Sequence, residues 1–137
     1  MGVQTQVFNA SNSAEINVAF ATLARERSDA LFVGPGFLFN SRRVQLVHLA
    51  SFHKVPAAYS QRQFAEIGGL MGYEASMTDT FRQIGLYAGR VLNGARPADL
   101  PVQQSTKFEL VINAETARML GLEIPPTVFA LADEVIE

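Results

Sequence analysis

Ala30-Leu31-Phe32-Val33, stopped by Gly34-Pro35-Gly36, is an unbroken apolar run ended by turn residues. A run of this kind marks a strand covered on both faces, as in the parallel sheet of an α/β domain. Upstream of it, Asn12 stands three residues before Glu15, a variant of the capping box that opens a helix. Ile16, Phe20, Leu23 and Ala24 follow at helical spacing, and Arg25 to Arg27 suit the negative end of the helix. Earlier still, Val3 to Phe8 alternates apolar and polar residues and predicts a first strand.

Downstream the alternation continues. Ser41 to His53 reads as a helix with Val44, Leu46, Val47 and Ala50 inward. Val55 to Tyr59 reads as a short strand whose Pro56 sits near its start. Gln63 to Ile67 is a short helix closed by Gly68-Gly69, and Leu70 to Tyr73 is the next strand. Ser76 or Thr78 caps a long helix that ends near Leu92, with Phe81, Ile84, Ala88 and Val91 as its buried stripe and Gly94 as its C′ residue. Gly85 and Gly89 on that helix read as places for close packing of a neighbour. Residues 95–106 lack periodicity and read as a surface crossing. Phe108 to Ile112 is a strand, Asn113 caps a short helix, and Gly121 ends it. Pro125-Pro126 imposes an extended segment, and the tail 127–137 is apolar enough to pack.

Strand and helix in turn imply an α/β fold, with a mostly parallel sheet, flanking helices and right-handed crossovers. A chain of 137 residues is the size of one domain. The formal charge of −2 and the absence of any basic run argue against a nucleic-acid partner. With no cysteine, disulfides and thiolate metal sites are excluded. No stretch approaches the roughly 18 apolar residues of a membrane span. The segment from Met1 to Phe8 has neither the basic nor the apolar region of an export signal, and Met1-Gly2 alone does not make an acylation signal. As written, the polypeptide is expected in the cytoplasm.

Enzymatic chemistry finds no support in the pattern. His48 and His53 are not spaced to share a helix face as a metal pair would. There is no Gly-x-Ser-x-Gly elbow and no phosphate-binding loop, and Gly34-x-Gly36 with Pro35 between reads as a turn. The expectation is a non-enzyme with no cofactor and no metal.

The last third of the chain carries a further signal. Gly94-Ala-Arg-Pro-Ala-Asp-Leu-Pro-Val-Gln104 runs into Lys107-Phe-Glu-Leu-Val-Ile-Asn113 and then Ala117-Arg-Met-Leu-Gly121-Leu-Glu-Ile-Pro-Pro126. This passage resembles the C-terminal end of ABC transporter substrate-binding proteins, in the branch associated with tryptophan and tyrosine. Asp29 to Gly34 followed by Phe39-Asn40-Ser41-Arg42, then Val55 to Tyr59, Phe64, Gly68 to Tyr73 and Ala75 to Asp79 fit the same family in order and spacing.

The resemblance implies a partial type I periplasmic-binding-protein-like fold that lacks the first lobe. Residues 1–70 would form most of the second lobe, and residues 71–137 the return segment and C-terminal elements. It implies non-catalytic binding of a small organic ligand such as an aromatic amino acid, delivery to an ABC permease by hinge closure, and a periplasmic setting. Family members are about twice this length and begin with an export signal and a lobe not found here. The long helix 78–92 would then lose the strands it packs on. Uncovered apolar surface tends to find a partner, so a homodimer or higher oligomer is expected. The alternative is a ligand-free α/β scaffold that mainly self-associates.

The candidate ligand-binding residues follow the strands. Phe39 offers a ring to stack on a ligand and Asn40 an amide, although Asn40 also suits helix capping. Tyr59 and Gln61 end a strand, where Tyr59 could equally serve the sheet edge. Tyr73, Glu74, Ser76 and Thr78 surround the start of the long helix. There Glu74 could pair an ammonium and helix N–H groups could receive a carboxylate. The same residues also suit an ordinary helix start, with Glu74 and Asp79 placed for the macrodipole.

Overall fold

The computed structural model describes residues 2–137, so Met1 lies outside the described residues. Helix α1 spans Ser13–Glu26, strand β1 Leu31–Val33, α2 Phe37–Ser41, α3 Arg43–Phe52, β2 Ala57–Tyr59, α4 Arg62–Glu66 and β3 Met71–Ala75. Then come α5 at Met77–Leu92, β4 at Phe108–Asn113, α6 at Ala114–Met119, α7 at Pro126–Phe129 and β5 at Glu134–Ile136. The strands form one sheet in the order β1-β2-β3-β4-β5. β1, β2 and β3 run parallel, β4 runs antiparallel to β3, and β5 is parallel to β4.

Local capping chemistry sets the helix starts. Asn12 accepts from the Glu15 N–H at 3.0 Å, while Glu15 reaches back to the Ser11 N–H at 2.7 Å. Gly94 and Gly121 take the left-handed backbone that ends α5 and α6. Gln45 on α3 donates to Asn17 and accepts from Ser13, which ties α3 to α1.

Register divides the sheet into two faces. Val33, Tyr59, Gly72 and Val111 fall on one face, and Phe32, Ala58, Met71 and Ile112 on the other. The first face holds the core. Ile16, Phe20 and Leu23 of α1, Leu46, Val47 and Ala50 of α3, and Phe64 of α4 cluster there with Val33, Ala57 and Tyr59. The second face is barer: Phe32 is 66% exposed and Tyr73 is 55% exposed. Burial of the run 30–33 on both faces is therefore corrected. β1 lies at the sheet's edge, and only its core side is covered.

Other expectations change as well. Val3 to Phe8 forms no strand, because no neighbouring strand takes its hydrogen bonds; Phe8 instead packs on the core cluster. The helix expected over 41–53 is α3, Arg43–Phe52, preceded by an unforeseen short helix α2 that ends at Ser41, and Val44 on α3 is exposed. Pro126 starts α7 rather than extending the chain, a position that suits its missing N–H. Of the tail, only Glu134 to Ile136 pairs, as the unforeseen strand β5, and no residue of 127–137 is buried. The stripe expected to be buried on α5 is open, and no residue of that helix is buried. Gly85 and Gly89 have no neighbour within 4 Å, so no helix packs against them.

Asn113 joins the two halves of the sheet to the helices. Its Oδ1 accepts from the Thr116 N–H at 2.8 Å, and its Nδ2 donates to the Ala65 carbonyl at 3.0 Å. Thr116 Oγ1 in turn donates to the Gly68 carbonyl at 2.9 Å. Asn113→Ala removes a cap and a buried cross-link together. A loss of about 2 kcal/mol is expected, read as a lower urea midpoint at unchanged m-value.

Candidate functional site

The three parallel strands end on one edge of the sheet, at Val33, Tyr59 and Ala75. Each then turns directly into a helix: α2 through 34–36, α4 through 60–61 and α5 through Ser76. Ligands of open parallel sheets bind outside such strand ends, where loops and helix N-termini converge. The sequence candidates map to these three connections and their flanks.

Asn40 lies in α2, with its N–H bonded to the Gly36 carbonyl at 3.0 Å. Its Oδ1 is shielded from solvent and has no partner. A buried acceptor left unmatched is costly, and native structures seldom carry one without a reason. Phe39 packs partly into the core, its ring 3.3 Å from where a Cβ on Gly36 would lie. It borders an apolar groove of about 110 Å³ that also includes Phe8, Phe20 and Leu31.

Tyr59 is fully buried and stacks on Phe64 with ring centroids 4.4 Å apart. Its hydroxyl has no partner, and burial pushes its ionisation well above the usual range. Gln61 immediately precedes α4, and its side chain makes no capping bond there. Tyr73 stacks on Phe108 at 5.4 Å on the barer face of the sheet.

Glu74 sits on the core face directly across from Glu109 of β4. Arg62 approaches that pair from α4. Its Nη1 lies 3.8 Å from Glu109, while Nε and Nη2 each hold a carboxylate at 2.8 Å, from Glu66 and Glu134. This Arg62 cluster was not foreseen. The Arg62–Glu66 spacing of i,i+4 was visible in the sequence, but the link to Glu134 depends on β5 lying beside β4.

Ser76 is buried and acts as a cap: its Oγ accepts from the Asp79 N–H at 3.4 Å. Its own N–H donates to the Lys107 carbonyl at 2.9 Å. Thr78 is exposed in the first turn of α5. The first intrahelical bond of α5 runs from Thr80 N–H to the Ser76 carbonyl. The N–H groups of Met77 and Thr78 therefore have no acceptor within the helix. Asp79 is held below its usual pKa, chiefly by hydrogen bonds from Arg82 at 2.8 and 3.1 Å.

Among the described residues no cluster of histidine, cysteine and carboxylate side chains is arranged to hold a metal ion, and no helix is long and apolar enough to cross a membrane. A family model for ABC transporter substrate binding proteins matches residues 1–136.

The chain belongs to the ABC transporter substrate-binding family.

Solved structures agree. A conserved domain protein from Vibrio cholerae superposes with a TM-score of 0.77 at 26% identity, covering 89% of this chain and 41% of that one. An ABC domain from Streptococcus pneumoniae in complex with L-Trp gives 0.73 at 31% identity, covering 88% and 43%. A ligand-free, open substrate-binding protein with adhesive properties from Clostridium difficile shares the fold, with a TM-score of 0.70 at 24% identity over 93% and 42%. The search of curated proteins gives no match. The chain thus spans less than half the length of the structures it resembles. Its five-stranded, mostly parallel sheet is part of a periplasmic-binding-protein-like fold. Substrate-binding proteins of this family are non-catalytic.

Proposed function

We propose that this chain provides one wall of a solute-binding cleft in an ABC uptake system, for a small organic ligand such as an aromatic amino acid. The observation that carries this is the unpartnered Asn40 Oδ1 in α2, the helix that follows the end of β1. An amino-acid ammonium is a donor of the kind this acceptor lacks. Its carboxylate suits the free N–H groups at the start of α5. The streptococcal relative bound to L-Trp supports an aromatic solute.

In this reading Asn40, Gln61, Glu74 and Thr78 meet the polar end of the solute, while Phe39 and Tyr73 lie beside its ring. Tyr59 and Ser76 support the wall from behind. Residues 1–70 act as most of a second lobe and 71–137 as the return segment and closing elements. The solute would pass to a permease, outside the cytoplasmic membrane.

Calorimetry with tryptophan, tyrosine and the other common amino acids tests this. Micromolar binding is expected for an aromatic member, weakened about tenfold by Asn40→Ala through loss of one charge-assisted hydrogen bond. No heat from any of them with a folded sample would sink the proposal.

A second reading rests on α5. With no buried residue, its apolar stripe suits association of two copies, each covering the other's helix. In that reading self-association, and not solute binding, is the main behaviour of the chain.

A further inference from the structure

The sheet has two edge strands, β1 and β5, and they are finished differently. A bare strand edge presents unpaired N–H and C=O groups to any chain that reaches it, and charged side chains are a common guard. β5 has that guard, with Asp133, Glu134 and Glu137 in and around it. β1 has none: Ala30-Leu31-Phe32-Val33-Gly34 carries no charge. Hydrogen bonds fix which groups of β1 are open. Leu31 donates its N–H to the Pro56 carbonyl at 2.9 Å, and the Val33 carbonyl accepts from the Ser60 N–H at 3.2 Å. Both residues therefore face β2, and the alternation of a strand turns the N–H and C=O of Phe32 outward.

The apolar groove of about 110 Å³ lies along this edge. Leu31, Phe32, Val33 and Gly34 line it from β1, and Phe8 and Ala10 line it from the segment before α1. Val3 to Phe8 has a strand's alternation, and among the described residues none of its backbone groups is hydrogen-bonded to other backbone. The groove thus adjoins two stretches of chain that each lack a strand neighbour. A Cβ on Gly34 would meet nothing within 4 Å, so the chain is open around the end of β1. One added strand satisfies the outward groups of Phe32 and covers the groove at the same time.

We propose that the open edge of β1 is a strand-acceptor site, which takes an extended, uncharged segment of a second polypeptide by β-strand addition. Charge matching sets the chemistry of that segment. No charged residue lines the groove, so a carboxylate or ammonium placed there is desolvated with no counter-ion. Alternate side chains of the segment enter the groove or lie beside Phe32, which is 66% exposed. A second copy of this chain is a poor occupant, since its own β1 stands behind the same wall of Phe8 and Ala10. Of the residues assigned to the solute only Phe39 lines the groove, so the site holds whether or not the cleft binds a solute.

The probe is the peptide acetyl-Ser-Val-Thr-Val-Ser-amide, titrated into the ¹⁵N-labelled 137-residue chain with no solute present. Saturable shifts are expected at the amides of Phe32 and Gly34 and within Val3 to Phe8, with Glu134 to Ile136 unmoved. The same peptide with every backbone nitrogen methylated has no donor and should give none. Glutamate in place of both valines should abolish binding as well. Phe32→Pro removes the outward N–H and keeps the bonds of Leu31 and Val33 to β2, a change that edge strands tolerate. It should weaken the peptide at least about fivefold, the worth of one neutral hydrogen bond. Equal shifts from the methylated peptide overturn the proposal, as do shifts that never saturate or that fall on β5. Shifts at Phe32 that grow with protein concentration in the absence of peptide assign the edge to a second copy, and overturn it too. If Phe32→Pro does not fold, the methylated peptide decides.

Discussion

Gly72→Ala is expected to destabilise the domain by about 3 kcal/mol, the upper end of the cost of overpacking. Gly72 lies on the core face of β3, where the chain entering α4 passes directly over it. A Cβ at this position would stand 2.6 Å from the Gln61 carbonyl oxygen and 2.8 Å from the Arg62 Cα. Both are backbone atoms, so no side-chain rotation relieves the contact, and α4 must lift from the sheet. On the proposed function the effect reaches the cleft too, because Gln61 is assigned to the solute's polar end there; Arg62 holds Glu66 and Glu134 from the same turn. A drop in the urea midpoint with weaker solute binding is the expected pair of results. Gly85→Ala is the control of opposite sign. Nothing lies within 4 Å of a Cβ there, and alanine in mid-helix should add about 1 kcal/mol. Equal stability of Gly72→Ala and the parent chain would mean that α4 does not rest on β3.

The local features of this fold were legible in the sequence because their physics is local. Asn12, Ser76 and Asn113 each cap the helix that follows, and each bond spans three residues. The strands expected at 30–33, 55–59 and 70–73 are β1, β2 and β3, at Leu31–Val33, Ala57–Tyr59 and Met71–Ala75. What was hidden depends on neighbours far along the chain. Val3 to Phe8 has a strand's alternation, yet a ladder needs a second strand beside it, and none is there. Glu134 to Ile136 is too short to announce itself, and becomes a strand by pairing with β4 and through the Arg62–Glu134 bridge. At the site, sequence placed Asn40, Gln61 and Glu74 near strand ends. It did not tell that Asn40 Oδ1 would lack a partner, that Tyr59 would turn inward, or that Glu74 would face Glu109.

Lysine at both Phe81 and Ile84 is expected to convert a self-associating chain to a monomer. Met77, Phe81, Ile84, Ala88 and Val91 repeat at the spacing of one helix face. Phe81 is 64% exposed and Ile84 58%, while Leu92 beyond them is 87% exposed. An amphipathic helix draws most of its stability from the surface that covers its apolar face, and here no residue of the helix is buried. Burying a large apolar side chain contributes about 1.5–3 kcal/mol. Losing two such contacts, and placing two ammonium groups in the same interface, should raise the dissociation constant by at least about 100-fold. Light scattering at micromolar concentration should show a dimer for the parent chain and a monomer for the double variant. Arg90→Gln, off the stripe, should leave the dimer intact. A parent chain that is already monomeric would remove the second reading of its function. The solute-binding proposal, which rests on Asn40 and the strand ends, would stand untouched.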